Sequence, residues 1–203
     1  KIMKSIISAA LENSFSYEDY RNLFSDLIKN KRTTGPNQTE ALVNFTKLNN
    51  SRMKRWEKTY SPTTLFSELE TDEPEIWLVI TEAWCGDAAQ IIPVLYRISQ
   101  ELPHVDFKLV LRDENLDLMD MFLTNGSRSV PKLIRLKQSD LSVINTWGPR
   151  PEGAQPLLVE YKSSPEITAD MFKENLARWY VNDGGKSIEE DILTLLNVAV
   201  LDY

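Results

Sequence analysis

The apolar residues in the N-terminal third of the chain recur at intervals of three and four positions, the spacing of one face of an α-helix. Residues 5–31 are therefore predicted to be helical, with Ser16 capping their second part. Gly35-Pro36 ends this unit, and a second helix is predicted from Glu40 to Tyr60. We interpret residues 1–60 as an N-terminal helical extension.

The middle of the chain alternates between apolar runs and helical patterns. The continuous apolar run at 76–80 predicts a buried strand over 76–82, and residues 107–111 predict the next one. The other predicted elements are a short helix through Leu65, Phe66 and Leu69, helices after Cys85 and over 115–124, and a hairpin of strands 133–136 and 143–146. This order predicts an α/β fold, with a mixed β-sheet flanked by helices.

The last segment, residues 151–203, is interpreted as a C-terminal helical extension packed on the same domain. Helical patterns cover 166–181 and 187–201, and Gly184-Gly185 between them is a helix stop. The structure of 157–161 is left open. These helices either cover one face of the sheet or build a homodimer interface, and the pattern does not choose between the two.

Composition limits the classes of function. The chain has 203 residues, of which 42% are hydrophobic and 26% charged, as in a soluble globular protein. A net charge of −7 argues against binding to duplex nucleic acid, which requires a basic face. No apolar run approaches the roughly 20 residues of a membrane span. The N-terminus lacks the pattern of a secretory signal, so a cytoplasmic protein is expected.

The most informative segment is Trp84-Cys85-Gly86-Asp87-Ala88, because it places the only cysteine where a predicted strand turns into a helix. Backbone N–H groups and the helix dipole at that point lower a thiol pKa, so Cys85 is expected to be an exposed, reactive nucleophile. Asp87 stabilises the helix start, but its negative charge raises the thiol pKa. The sequence leaves open which effect is larger.

This segment resembles the W-C-x-x-C active site of the thioredoxin superfamily, with Ala88 in place of the second cysteine. Val130-Pro131 resembles the family's cis-proline loop, and Gly148 resembles the glycine that follows its hairpin. The resemblance covers residues 61–150, which we predict to be the thioredoxin-like domain. Val79 stands where thioredoxins carry a buried aspartate. The motif is also similar to that of an uncharacterised bacterial group of thioredoxin-family proteins.

The resemblance implies a site in which Cys85 is catalytic and Trp84, Gly86, Asp87 and Ala88 shape its surroundings. It implies that Val130 offers backbone hydrogen bonds to a substrate beside Pro131. Two arginines, Arg112 and Arg128, are expected to supply positive charge near the sulfur, to bind the carboxylate of a thiol cofactor, or to be ordinary surface residues.

Basic residues cluster once, in Arg52-Met53-Lys54-Arg55-Trp56-Glu57-Lys58. Such a cluster suits a phosphate or an acidic partner, but a solvated helix face is the favoured interpretation. The sequence shows no catalytic triad, zinc-ligand spacing or phosphate-binding glycine loop, so no metal is expected.

Three functions fit these residues. The first is a monothiol oxidoreductase, in which Cys85 exchanges with a disulfide-containing protein and an external low-molecular-weight thiol resolves the product, with no bound cofactor. The second is a non-catalytic binding or adaptor module that uses the proline loop. The third is a thiol peroxidase that forms a sulfenic acid on Cys85, although the usual peroxidase pattern is missing.

Overall fold

The computed structural model of the protein describes residues 1–70 and 73–201. The chain divides into two compact units, Lys1–Pro149 and a second that begins at Arg150. The predicted C-terminal segment reaches residue 203, and its last two residues lie outside the described residues.

The first unit is built around a mixed sheet of four strands in the described part of the chain, in the order β2-β1-β3-β4. The strands are β1 (Glu75–Thr81), β2 (Val105–Leu111), β3 (Lys132–Lys137) and β4 (Val143–Trp147). Strand β1 runs parallel to β2 and antiparallel to β3, and β3 and β4 form an antiparallel hairpin. All of β1 is buried, which explains the unbroken apolar run at 76–80 within it.

Helices flank this sheet, so the predicted α/β class is confirmed. They are α1 (Ile2–Glu12), α2 (Tyr17–Lys29), α3 (Glu40–Thr59), α4 (Gly86–Gln100) and α5 (Leu116–Asp120). Helix α3 packs against α4. One of the contacts between them is a 2.7 Å hydrogen bond from Trp56 Nε1 to Gln90 Oε1.

The predicted helical stretch 5–31 is interrupted at residues 13–16. Here Phe15 leaves the helix and exchanges backbone hydrogen bonds of 2.8 and 3.0 Å with Leu109 of β2. Ser16 then begins α2, and its hydroxyl accepts a 3.0 Å bond from the N–H of Asp19, as the capping pattern predicted. A periodic sequence therefore contains two helices because its junction pairs with the sheet.

Two other predicted helices differ from the structure. The segment through Leu65, Phe66 and Leu69 forms successive turns, in which only Phe66 is buried. A single buried side chain gives too little apolar contact to hold a short helix. The helix predicted over 115–124 is limited to α5, because the chain turns at Asn125 and Gly126, which both have positive φ.

The second unit consists of three helices among the described residues: α6 (Gln155–Ser163), α7 (Ala169–Asp183) and α8 (Lys186–Leu201). Helix α6 contains the segment whose structure the sequence left open. Helix α7 ends at Gly184, which adopts the left-handed conformation that the double glycine predicted. Tyr161 stacks on Phe172 with ring centroids 4.5 Å apart.

No helix in the described part of the chain combines the length and the apolar character that crossing a membrane requires.

Candidate active site

Cys85 occupies the N-cap position of α4, directly after the turn that follows β1. Its backbone is extended, with φ −77° and ψ 118°, and its Sγ accepts a 3.5 Å hydrogen bond from the N–H of Ala88. Ala88, which stands in place of a second cysteine, thus donates its backbone N–H to the sulfur of Cys85. A hydrogen bond to sulfur from an otherwise unpaired helix N–H favours the thiolate.

The proline loop lies on the other side of the sulfur. The Cys85 thiol donates a 3.4 Å hydrogen bond to the carbonyl oxygen of Val130, and the Val130-Pro131 peptide bond is cis. Gly148 lies against this loop with φ +108°, and a Cβ at that position would be 2.5 Å from the Pro131 carbonyl oxygen. Two segments that the sequence linked by resemblance therefore meet at the thiol, and the third, at Gly148, packs against the proline loop.

The expected exposure of Cys85 is wrong, because only 8% of the residue is accessible. The sulfur lies between the N–H of Ala88 and the carbonyl of Val130, and both of these residues are themselves buried. A reagent can therefore reach the sulfur only through a small accessible area.

Trp84 lines a groove of about 520 Å³ next to the cysteine. The other residues that line it are Pro36, Asn37, Leu42, Arg112, Asp113, Leu116 and Arg128. The Arg112 guanidinium lies over the Trp84 ring, 5.0 Å from its centroid, and also donates to Asp113 and to the Arg128 carbonyl oxygen. The groove offers a flat apolar surface with cations at its side.

Arg128 lies at the edge of this groove, with its charge already paired. Its guanidinium donates two hydrogen bonds, 2.7 and 2.9 Å long, to the Asp120 carboxylate, and both side chains are about half exposed. The pair raises the pKa of Arg128 and lowers that of Asp120. The structure thus brings Arg128 to the groove beside Trp84, as one partner of a surface ion pair.

Helix α3 supplies a contact to the motif that the sequence analysis missed. The fully buried Asn49 donates a 2.9 Å hydrogen bond to the Ala83 carbonyl oxygen and accepts one of 3.0 Å from Arg52 Nη1. The same Nη1 would be 3.1 Å from a Cβ at Gly86. The interpretation of the basic cluster as a solvated face is therefore wrong for Arg52, which reaches inward.

The Arg52 guanidinium interacts electrostatically with two residues of the motif, Asp87 and Cys85. Burial lowers the pKa of its guanidinium, whereas Asp87 and, to a smaller extent, Cys85 raise it. Asp87 lies in the first turn of α4, where a carboxylate also complements the helix dipole. A buried amide in the apolar stripe of α3, three residues before an arginine, is the sequence signal that could have indicated this contact.

A buried carboxylate, Glu82, was also missed. One of its oxygens accepts a bond from the Thr34 hydroxyl and the other a 2.8 Å bond from the N–H of Asp113. Burial raises the pKa of Glu82 above its ordinary value, and these hydrogen bonds oppose the shift. Val79, at the position where thioredoxins carry aspartate, is fully buried and apolar, so the buried acid lies at a different place in this chain.

The described residues contain no group of three or more histidine, cysteine, aspartate or glutamate side chains placed to hold a metal ion.

Comparison with protein families identifies the fold. A family model described as thioredoxin matches residues 35–167, more than half of the chain. The chain belongs to the thioredoxin family. The match begins at residue 35 and so includes α3, with Asn49 and Arg52, in the thioredoxin-related part of the chain.

Two solved structures resemble this thioredoxin-family chain. A protein of unknown function from Pseudomonas aeruginosa is 15% identical, with 73% of this chain and 86% of that chain covered and a TM-score of 0.45. An HIV epitope scaffold is 15% identical, with 90% and 98% covered and a TM-score of 0.50. At this identity the likeness to the scaffold concerns the fold alone. Comparison with curated proteins gave no match.

Proposed function

We propose that this thioredoxin-family protein is a monothiol oxidoreductase that catalyses thiol–disulfide exchange through Cys85. The observation that supports this is the position of Sγ, 3.5 Å from the Ala88 N–H and 3.4 Å from the Val130 carbonyl oxygen, beside Pro131. The N–H stabilises the thiolate, and the carbonyl accepts a hydrogen bond from the neutral thiol. The sulfur therefore has a hydrogen-bond partner in both protonation states.

The proposed reaction has two exchange steps. The Cys85 thiolate attacks the small-thiol sulfur of a disulfide between a protein and a small thiol, the S–S bond breaks, and the protein sulfur leaves as a thiolate that takes a proton from water. A mixed disulfide then joins Cys85 to the small thiol. With Ala88 in place of a second cysteine, resolution falls to an external low-molecular-weight thiol, whose thiolate attacks the bound small-thiol sulfur, forms the oxidised small thiol and releases the Cys85 thiolate.

The proposed substrate is a mixed disulfide between a protein and a small thiol. Only 8% of Cys85 is accessible, so an extended segment carrying its disulfide fits better than a disulfide buried in a folded domain. Such a segment would lie along the Val130 backbone and place one side of the disulfide in the groove beside Trp84. Arg128, at the edge of the groove, would contact this segment.

The test is release of the free peptide thiol from a glutathionylated peptide, with free glutathione as the resolving thiol and oxidised glutathione as the second product. Wild-type protein is expected to accelerate release, and mass spectrometry is expected to detect a mixed disulfide on Cys85 when the resolving thiol is left out. Cys85→Ser is the matched control, because it keeps a polar side chain at the N-cap without a sulfur nucleophile. A wild-type rate equal to that of C85S would overturn the proposal.

The low exposure of Cys85 favours a second candidate, a binding module that keeps the thioredoxin fold without its chemistry. For such a module, iodoacetamide would modify Cys85 only when the protein is unfolded in urea. Modification of the native protein at a rate near that of a free cysteine would contradict this alternative.

A further inference from the structure

We infer that Arg52 of α3 is a positioning residue for the exchange reaction, one that favours the thiolate of Cys85 by offsetting the negative charge of Asp87. This inference rests on the proposed function, since a thiolate is required only if Cys85 acts as a nucleophile. It assigns a role in the site to a helix that the W-C-G-D-A motif does not include.

The geometry fixes where the Arg52 charge lies. Its Nη1 donates to Asn49 Oδ1 over 3.0 Å, and Asn49 in turn bonds to the carbonyl oxygen of Ala83, two residues before the cysteine. Nη1 also lies next to Gly86, the residue that follows the cysteine, with no side chain between them. The cation therefore lies beside the residue that follows Cys85, and its partner Asn49 holds the chain two residues before Cys85.

Several other charged or titratable groups lie on the elements that pack around the sulfur. They are Tyr20 of α2, Arg55 of α3, Glu82 after β1, Asp87 of α4, Arg112 after β2 and Lys132 of β3. Tyr20 bonds to Thr81 over 3.1 Å, and Lys132 bonds to Thr124 over 3.0 Å. Arg112 is engaged with Asp113, and Arg55 lies over the Trp56 ring and bonds to Gln90.

These partners distinguish Arg52 from the other cations. Arg52 interacts electrostatically with both Asp87 and Cys85. The neighbouring Arg55 repels it and lowers the pKa of its guanidinium. Opposite charges in a half-buried site are screened less than those of surface pairs. Arg52 thus counters the one local charge that the sequence analysis identified as unfavourable to the thiolate.

The experiment is a titration of Cys85 followed by the ultraviolet absorbance of the thiolate, with C85S subtracted as the blank. This readout reports ionisation whether or not the protein catalyses exchange, so the inference and the proposed function fail separately. The variants are Arg52→Gln, Arg52→Lys and Asp87→Asn. Lys54→Gln is the matched control, because Lys54 lies on the same helix but is exposed.

Arg52→Gln is expected to raise the midpoint of the titration by about one pH unit, and Asp87→Asn to lower it by a similar amount. Arg52→Lys is expected to stay near wild type, and Lys54→Gln to match it. An R52Q variant that unfolds more easily but keeps the wild-type midpoint would overturn the inference and leave Arg52 a structural role only. A shift as large in K54Q would overturn it too, since the effect would then come from net charge.

Discussion

The hydroxyl of Thr34 accepts a 2.9 Å hydrogen bond from the N–H of Ala83 and donates one to the carboxylate of Glu82. Thr34 lies in the loop between α2 and α3, so one buried hydroxyl connects that loop to the turn that carries the cysteine. Together with the bond from Asn49 to the Ala83 carbonyl, it satisfies both backbone polar groups of Ala83. Helix α3 and the loop before it therefore bind both the N–H and the carbonyl of Ala83 in the turn that carries the cysteine.

We expect Thr34→Val to destabilise the protein by about 1–3 kcal/mol, because a side chain of similar shape would leave the Ala83 N–H and one Glu82 oxygen without this partner. Urea denaturation measures the change in the free energy of unfolding. Thr59→Val is the matched control, since the Thr59 hydroxyl is exposed and bonds only within its own helix. Equal losses in the two variants would show that the buried hydrogen bonds of Thr34 stabilise the protein no more than the exposed bond of Thr59 does.

Ala88→Cys is expected to restore a two-cysteine site. Residue 88 follows the N-cap by three positions, and its N–H already contacts Sγ of Cys85. After treatment with oxidised glutathione, a thiol titration should find no free thiol in A88C, because an internal disulfide replaces the mixed disulfide. Ala89→Cys, with its side chain turned about 100° around the helix, should stay a mixed disulfide instead. Two glutathione adducts on A88C would contradict this prediction.

The contact between Gly148 and the proline loop leads to a prediction of large effect. At φ +108°, an alanine is strained, and its Cβ would be 2.5 Å from the Pro131 carbonyl oxygen. We expect Gly148→Ala to destabilise the protein by more than about 3 kcal/mol, measured by urea denaturation. Gly126→Ala provides the control, because Gly126 has φ +77° with nothing within 4 Å of a Cβ. It should lose only about 1–2 kcal/mol, and a similar loss at both positions would argue against the close contact.

Local patterns in the sequence were sufficient to predict the strands, the cap at Ser16 and the position of Cys85 at the start of α4. These features depend on neighbouring residues, and hydrophobic periodicity or capping chemistry records them directly. The contacts of Asn49 and Thr34 with the Ala83 backbone depend on tertiary packing across 34 and 49 positions of the chain, and a single sequence indicates at most that such polar side chains are buried, not which group they meet. Periodicity indicates which face of α3 is buried, but it does not name the backbone group which that face meets. For the same reason, the position of Cys85 could be predicted while its burial could not.

The buried carboxyl of Glu82 leads to a prediction about the pH dependence of stability. Burial raises its pKa in the folded protein above the ordinary value of about 4.3 that it has in the unfolded chain. The folded state therefore binds this proton more tightly than the unfolded state does. The stability that follows is present below the unfolded pKa and is lost as the pH rises through the folded pKa.

Glu82→Gln removes this titration and keeps an oxygen that accepts from the Asp113 N–H. The free energy of unfolding of the wild type, relative to that of E82Q, is expected to fall as the pH rises from about 4 to neutrality. Urea denaturation of both proteins at several pH values measures this difference, and any general effect of the substitution shifts all points equally. A difference that stays constant would show that the hydrogen bonds from Thr34 and Asp113 balance burial at this carboxylate, and one that grows in favour of the wild type towards neutral pH would show that they outweigh it.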